Sequence, residues 1–128
     1  MNHQRNERGA AVPEFVLILL VLIPVVAGLV HVALVMHVRN TVTSAASDGA
    51  RSGAARGATT EHAVARTQEL ITAAIATPFA EDVQAQQVLV DGVPMMQVRV
   101  RTQVPALGIA GPSTEVRAVA HAILQDQP

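Results

Sequence analysis

The sequence predicts an α+β protein: an N-terminal transmembrane helix extended by an Ala/Gly-rich helix, then a small domain of one helix and a three-stranded antiparallel sheet. Three observations carry this expectation. Phe15 to Val38 contain no Asp, Glu, Lys or Arg. Residues 59–76 place apolar side chains at helical spacing, and two β-rich runs, 83–90 and 95–104, flank an Asp-Gly turn, the second with clean period-two alternation.

Size and composition narrow the function classes. A chain of 128 residues has room for one domain at most, and the membrane segment leaves about 90 for a thin core. There are no cysteines, so neither disulfide stapling nor thiolate chemistry is available. Two Phe, no Tyr and no Trp disfavour a stacking surface for single-stranded nucleic acid. Nine arginines against ten acidic residues leave no basic stripe, so nucleic acid is not an expected partner. Lysine is absent while Ala and Val abound, which reads as coding bias.

Immediately before the apolar run stands Arg8-Gly9-Ala10-Ala11-Val12-Pro13-Glu14-Phe15. A carboxylate at the margin of hydrocarbon is costly unless it snorkels, is paired or serves a function. Two partners suit Glu14: the amides of a helix N-terminus, with Pro13 in its first turn, or a positive group on a neighbouring chain. An interfacial Glu with no role is the bland alternative.

The 24 residues from Phe15 to Val38 form a helix of about 36 Å, enough to cross a bilayer core of about 30 Å. Pro24 and Gly28 lie inside it, either tolerated as in many membrane helices or marking a local unwinding. His31 and His37 are six apart, on different faces, which argues against paired metal ligation and for polar positions near the interface. Arg5 and Arg8 precede the span, but Arg39 and Arg51 follow it closely, so the positive-inside rule barely decides orientation. A secretory signal cleaved near Ala27 is a competing reading. It is weakened by Glu14 and by an apolar run that continues past Ala27.

Residues 39–57 are rich in Ala, Gly, Ser and Thr. Ala46, Ala50, Gly53 and Gly57 share one helical face, where small residues let another helix approach. Gly49, Gly53 and Gly57 each cost about 1 kcal/mol in a helix interior, so they serve either packing or flexibility. Arg51 and Arg56 face solvent or lipid head groups. A second helix runs from Thr59 or Thr60 to about Ala76, on a face of Val64, Gln68, Ile71 and Ile75, and Thr77-Pro78 ends it.

Val83–Val90 and Met95–Val104 read as strands joined at Asp91-Gly92. Met96, Val98, Val100 and Val104 lie on one side, and Gln97, Arg99, Arg101 and Gln103 on the other. Pro105–Pro112 reads as a loop, and Glu115–Leu124 as a third strand. His62 and His121 lack a suggestive Asp, Glu or Cys, so no metal, cofactor or catalytic residue is expected, and the chain does not read as an enzyme.

The order of these features resembles a known family. Glycine, four residues and then Glu before an apolar helix is similar to the class III signal of type IV prepilins and pseudopilins. RGAAVPEFVLILLVLIPVV followed by HVRNTVTSAASDGARSGA looks like the TadE-like pseudopilins of the tight-adherence system. Gly9, Glu14, Pro24 and the stretch Ala46-Ser47-Asp48-Gly49-Ala50-Arg51 correspond to that family's processing glycine, its Glu, its mid-span proline and its Ala-x-x-Gly-Ala-Arg segment. Pro13 and Asp48 depart from the pattern.

The resemblance implies cleavage between Gly9 and Ala10 by a prepilin peptidase on the cytoplasmic side of the bacterial inner membrane. It implies an extracytoplasmic C-terminal domain and an assembly or recognition role for Glu14. Pro24, Gly28, Ala46, Gly49, Ala50, Arg51, Gly53 and Gly57 become helix-packing positions. The expected function is that of a minor structural or assembly component of a Flp-type pilus, with other pseudopilins or inner-membrane assembly proteins, the peptidase and the lipid bilayer as partners. The expected organisation is a leader (1–9), an anchor (10–38), a helical extension (39–57) and a domain (58–128). The alternatives are an unprocessed single-pass accessory subunit and a small secreted binding protein.

Overall fold

The computed structural model describes residues 2–106 and 111–125, with side chains from Gly9 onward; residues 107–110 of the expected loop lie outside the described residues. A single helix α1 (Asn2–Ala54) runs unbroken through Pro13 and Pro24. It is followed by α2 (Thr60–Ala74), a 3-10 turn (Thr77–Ala80), β1 (Asp82–Val90), β2 (Val93–Pro105) and β3 (Ser113–Ile123). The strands form an antiparallel sheet in the order β1-β2-β3. The chain is therefore α+β, with one long apolar helix ahead of a helix and a three-stranded sheet.

The two halves of α1 bury different things. From Val12 to Val32 its large apolar side chains, the half-buried Leu19 apart, stand free, with Leu29 66% exposed. From Val38 onward a stripe recurs at helical spacing: Val38, Val42, Ala45, Ala46, Ala50 and Ala54 are all buried, as are Gly49 and Gly53. Two hydrogen bonds fix how this half lies on the sheet. His31 Nε2 is bonded with Thr114 Oγ1 at 3.0 Å, and the amide of Gln125 donates to the Ala54 carbonyl at 3.0 Å. Residues 31–54 of helix span about 35 Å, and residues 114–125 in extended form about 36 Å. The helix thus runs alongside β3, in the same direction.

The inner face of the sheet meets it. Met96, Val98, Val100, Val104 and Val116 have no exposed surface, and Ala118 and Ala120 very little. These are the alternate positions expected from the period-two pattern. The core, however, is not confined to residues 58–128, because the second half of α1 supplies part of one of its two layers.

α2 covers the remainder of that face. Its centre is Ala63, Thr67 and Ile71, one step round from the expected line of Val64, Gln68, Ile71 and Ile75. Val64 and Ile75 are only partly buried at its flanks, while Gln68 Nε2 donates to the Ala80 carbonyl at 3.1 Å. The cause is the glycine surface of α1: small residues of α2 turn toward it because nothing larger fits.

At the far end of the sheet, Asp91 (φ 51°) and Gly92 (φ 81°) form the two-residue connection of a tight hairpin, with Val90 paired to Val93. A Cβ at Gly92 meets nothing, so Gly92→Ala tests the backbone conformation alone. The expected loss is about 1–2 kcal/mol, read as reduced amide protection in β1 and β2, whereas Asp91→Gly should be close to neutral.

Candidate functional site

Gly9, Ala10 and Glu14 all lie within α1, and all three are exposed. The helix begins at Asn2, so Pro13 is interior and not in the first turn. The amides of the helix start lie about 18 Å from residue 14, which removes them as a partner for Glu14 in the uncut chain. Interior proline has a local consequence: without an N–H, Pro13 leaves the Gly9 carbonyl without its helical hydrogen bond. That carbonyl belongs to the Gly9–Ala10 peptide bond.

Glu14 stands at the head of an apolar stripe. Leu17, Ile18, Val21, Leu22 and Val25 follow it at helical spacing and line an open groove with it. Pro24 and Gly28 are exposed within the same free rod, and a Cβ at Gly28 meets nothing. α1 is apolar over enough length to cross a membrane, and this fits a single-pass membrane protein.

The small-residue segment lies at the other end of the helix. A Cβ on Gly49 would stand 1.8 Å from Thr67 Oγ1 and 2.9 Å from the Ala63 carbonyl oxygen. One on Gly53 would lie 2.5 Å from Ala63 Cβ. These two glycines let α2 cross α1 at close range. Ala46 and Ala50 are buried beside them, while Arg51 is exposed. Gly57 is no part of this packing. α1 has ended at Ala54, and Gly57 (φ 78°) sits in the turn before α2 with open space around it. Arg66 reaches back from α2 to Asp48 at 3.4 Å, an exposed pair of small energetic weight.

His62 and His121 have local structural roles and stand apart. His62 completes a capping box: its amide donates to Thr59 Oγ1 at 3.4 Å, and its Nδ1 accepts from the Thr59 amide at 3.1 Å. The spacing Thr59-x-x-His62 was the signal for it. His121 lies on the outer sheet face, where Gln86 donates to Gln97 at 2.7 Å and Gln97 donates to His121 at 3.0 Å. Among the described residues, no group of three or more His, Cys, Asp or Glu is placed to hold a metal.

Next along the outer face, Glu115 is held by Arg117 at 3.0 Å and by Arg101. The hydrogen bond from Arg117, and then that from Arg101, keep the Glu115 carboxyl below the usual glutamate range. A depressed carboxylate contributes stability that is present above its unfolded value, about 4.3, and lost as pH falls through its folded one. Titration of Glu115 followed by NMR should show a midpoint below the ordinary range, moving back up in Arg117→Ala. An unchanged midpoint in that variant would mean that Arg117 does not hold the carboxylate.

With this geometry in hand, comparison with known families is specific. Residues 9–51 match the family model described as TadE-like protein. The match takes in Gly9, Glu14, the free apolar rod and the packed small-residue segment as far as Arg51. No curated protein and no solved structure gives a significant match to the chain.

Proposed function

We propose that this chain, TadE-like over its long helix and thereby associated with a Tad pilus system, acts as a minor pseudopilin-like structural or assembly component of a Flp-type pilus. Its leader is removed between Gly9 and Ala10 by a prepilin peptidase. It sits in the bacterial inner membrane with its amino terminus in the cytoplasm and its folded domain outside. Its role is assembly and not catalysis.

The observation that carries this reading is the division of α1. The family match covers one continuous helix, whose first half is an exposed apolar rod headed by Glu14 and whose second half is built into the domain core. A rod of that kind is made for lateral packing among other helices in lipid.

Processing fits the local chemistry. The Gly9 carbonyl lacks its helical partner, so the helix is weakened at the proposed scissile bond, as it is at Leu20 ahead of Pro24. Cutting there makes Ala10 the new terminus and brings Pro13 into the first turn, where its missing N–H costs nothing. It also gives Glu14 helix-end amides of its own and creates an ammonium on Ala10. In a staggered neighbour that ammonium is the cation an otherwise costly carboxylate needs in hydrocarbon.

The test is the mass and amino-terminal sequence of the product taken from its native membrane, in cells with active prepilin peptidase. A chain starting at Ala10 is expected. An intact Met1 would mean an unprocessed accessory subunit, and a start at Gly28 a secreted protein; either overturns the proposal.

A further inference from the structure

The β2–β3 hairpin is longer than the sheet it belongs to. β1 begins at Asp82, opposite Arg101, so Thr102–Pro105 and Ser113–Val116 project beyond it as a two-stranded finger of about 13 Å. From Thr102 to Thr114 the chain has no charged residue. Along the chain the flanking charges are Arg101 and Glu115, which bond each other at the finger's base, where Glu81 and Asp82 also lie beside Thr102 and Gln103.

Its position on α1 indicates what it meets. The finger is fastened to the helix by the bond between Thr114 and His31. The apolar run begins at Phe15, and from there to His31 the helix rises only about 24 Å. A bilayer core is about 30 Å thick. Leu29, Val30, Val32 and Met36 remain exposed and apolar around and beyond that contact. If the Phe15 end lies at one boundary of the hydrocarbon, Thr114 lies about 6 Å inside the other. If the core begins a turn earlier, at Val12, Thr114 lies close to the boundary. Either way Ser113 and Thr114 cannot stand clear in water while α1 spans.

We propose that the β2–β3 finger is a second membrane contact: it seats in the interfacial layer of the leaflet on the domain side. Gln103, Ser113 and Thr114 lie at the edge of the hydrocarbon, and the outward-facing Arg101 and Arg117 stand at head-group level. The folded domain therefore rests on the lipid surface instead of riding above it. This rests on α1 crossing the membrane, and the test separates the two claims.

The chain has no cysteine, so single-cysteine labelling of the full-length protein in phosphatidylcholine vesicles is direct. An environment-sensitive fluorophore is placed at Ser113→Cys in the finger, Leu89→Cys at the opposite end of the sheet, and Leu22→Cys in the span; all three sites are exposed. Quenching by nitroxide-bearing lipid is compared with quenching by aqueous iodide. The expected result is lipid quenching at position 113 at least half that at position 22, with iodide quenching several-fold weaker than at position 89. A position 113 that behaves like position 89 overturns the proposal, since the domain then stands off the bilayer. Shielding of position 113 from both quenchers overturns it too, because a protein and not lipid then covers the finger. Loss of lipid quenching at position 22 would instead remove the membrane span itself.

Discussion

Gly49→Ala is expected to destabilise the folded domain by about 1–3 kcal/mol, although alanine is the better helix former by about 1 kcal/mol. Steric overlap decides the sign. The added methyl would lie 1.8 Å from Thr67 Oγ1 and 2.9 Å from a backbone oxygen, that of Ala63. Thr67 cannot simply turn away, because its hydroxyl is fully buried and donates to that same Ala63 carbonyl at 2.8 Å. Rotating it would leave a buried hydroxyl in search of a partner. The helices must therefore separate, and contacts along the crossing loosen together.

A pair of double variants distinguishes backbone from side-chain obstruction. At Gly53 the nearest obstacle is the methyl of Ala63, with Ala63 Cα next at 3.2 Å. Ala63→Gly should therefore recover much of the loss in Gly53→Ala. At Gly49, Thr67→Ala removes the hydroxyl but leaves the Ala63 oxygen in place, so recovery should be slight. The chain lacks Trp and Tyr, so the readout is amide hydrogen exchange of α2 and β2 in the full-length protein. A Gly49→Ala variant more protected than the parent would show that the two helices are not in close contact.

Gly9→Leu is expected to abolish processing while leaving the folded domain intact. A Cβ at position 9 meets nothing within 4 Å, and leucine favours helix over glycine by nearly 1 kcal/mol. The chain itself supplies no reason for glycine there. Any strict requirement must come from an external partner that needs close approach to the backbone, which is the demand of a processing enzyme. The measurement is the mass of the membrane-extracted product beside the exchange profile of β2. An uncut chain with unchanged β2 protection is the expected outcome. Normal cleavage of Gly9→Leu would sink the assignment of the site.

Much of the fold is legible because two periods dominate the sequence. The alternation from Met96 to Val104 and the Asp91-Gly92 turn set the sheet's inner face and its hairpin without ambiguity. The second use of α1 is not legible in the same way. Val38 and Val42 are as apolar as the residues before them, and hydropathy reads a side chain facing lipid and one facing a core alike. The change of environment falls near His31, and a lone histidine is a faint marker of it. The centre of α2 was missed for a related reason: Ala63 and Thr67 are buried because they are small, not because they are strongly apolar. In the candidate site, Gly9 and Glu14 are visible as a spacing. The helix start at Asn2, which makes Pro13 interior, has no comparable signal.

The parallel course of α1 and β3 also has a mechanical side. A load drawn along the anchor enters the domain through Val38, Val42 and the alanines above them, parallel to the long axis of the sheet. The helix can leave only by sliding, which breaks its row of contacts and both end hydrogen bonds at once. A crosswise pull would instead peel them one after another. A protein built to bear tension from one end is better served by the first arrangement. The axis of greatest resistance is the axis of α1 itself.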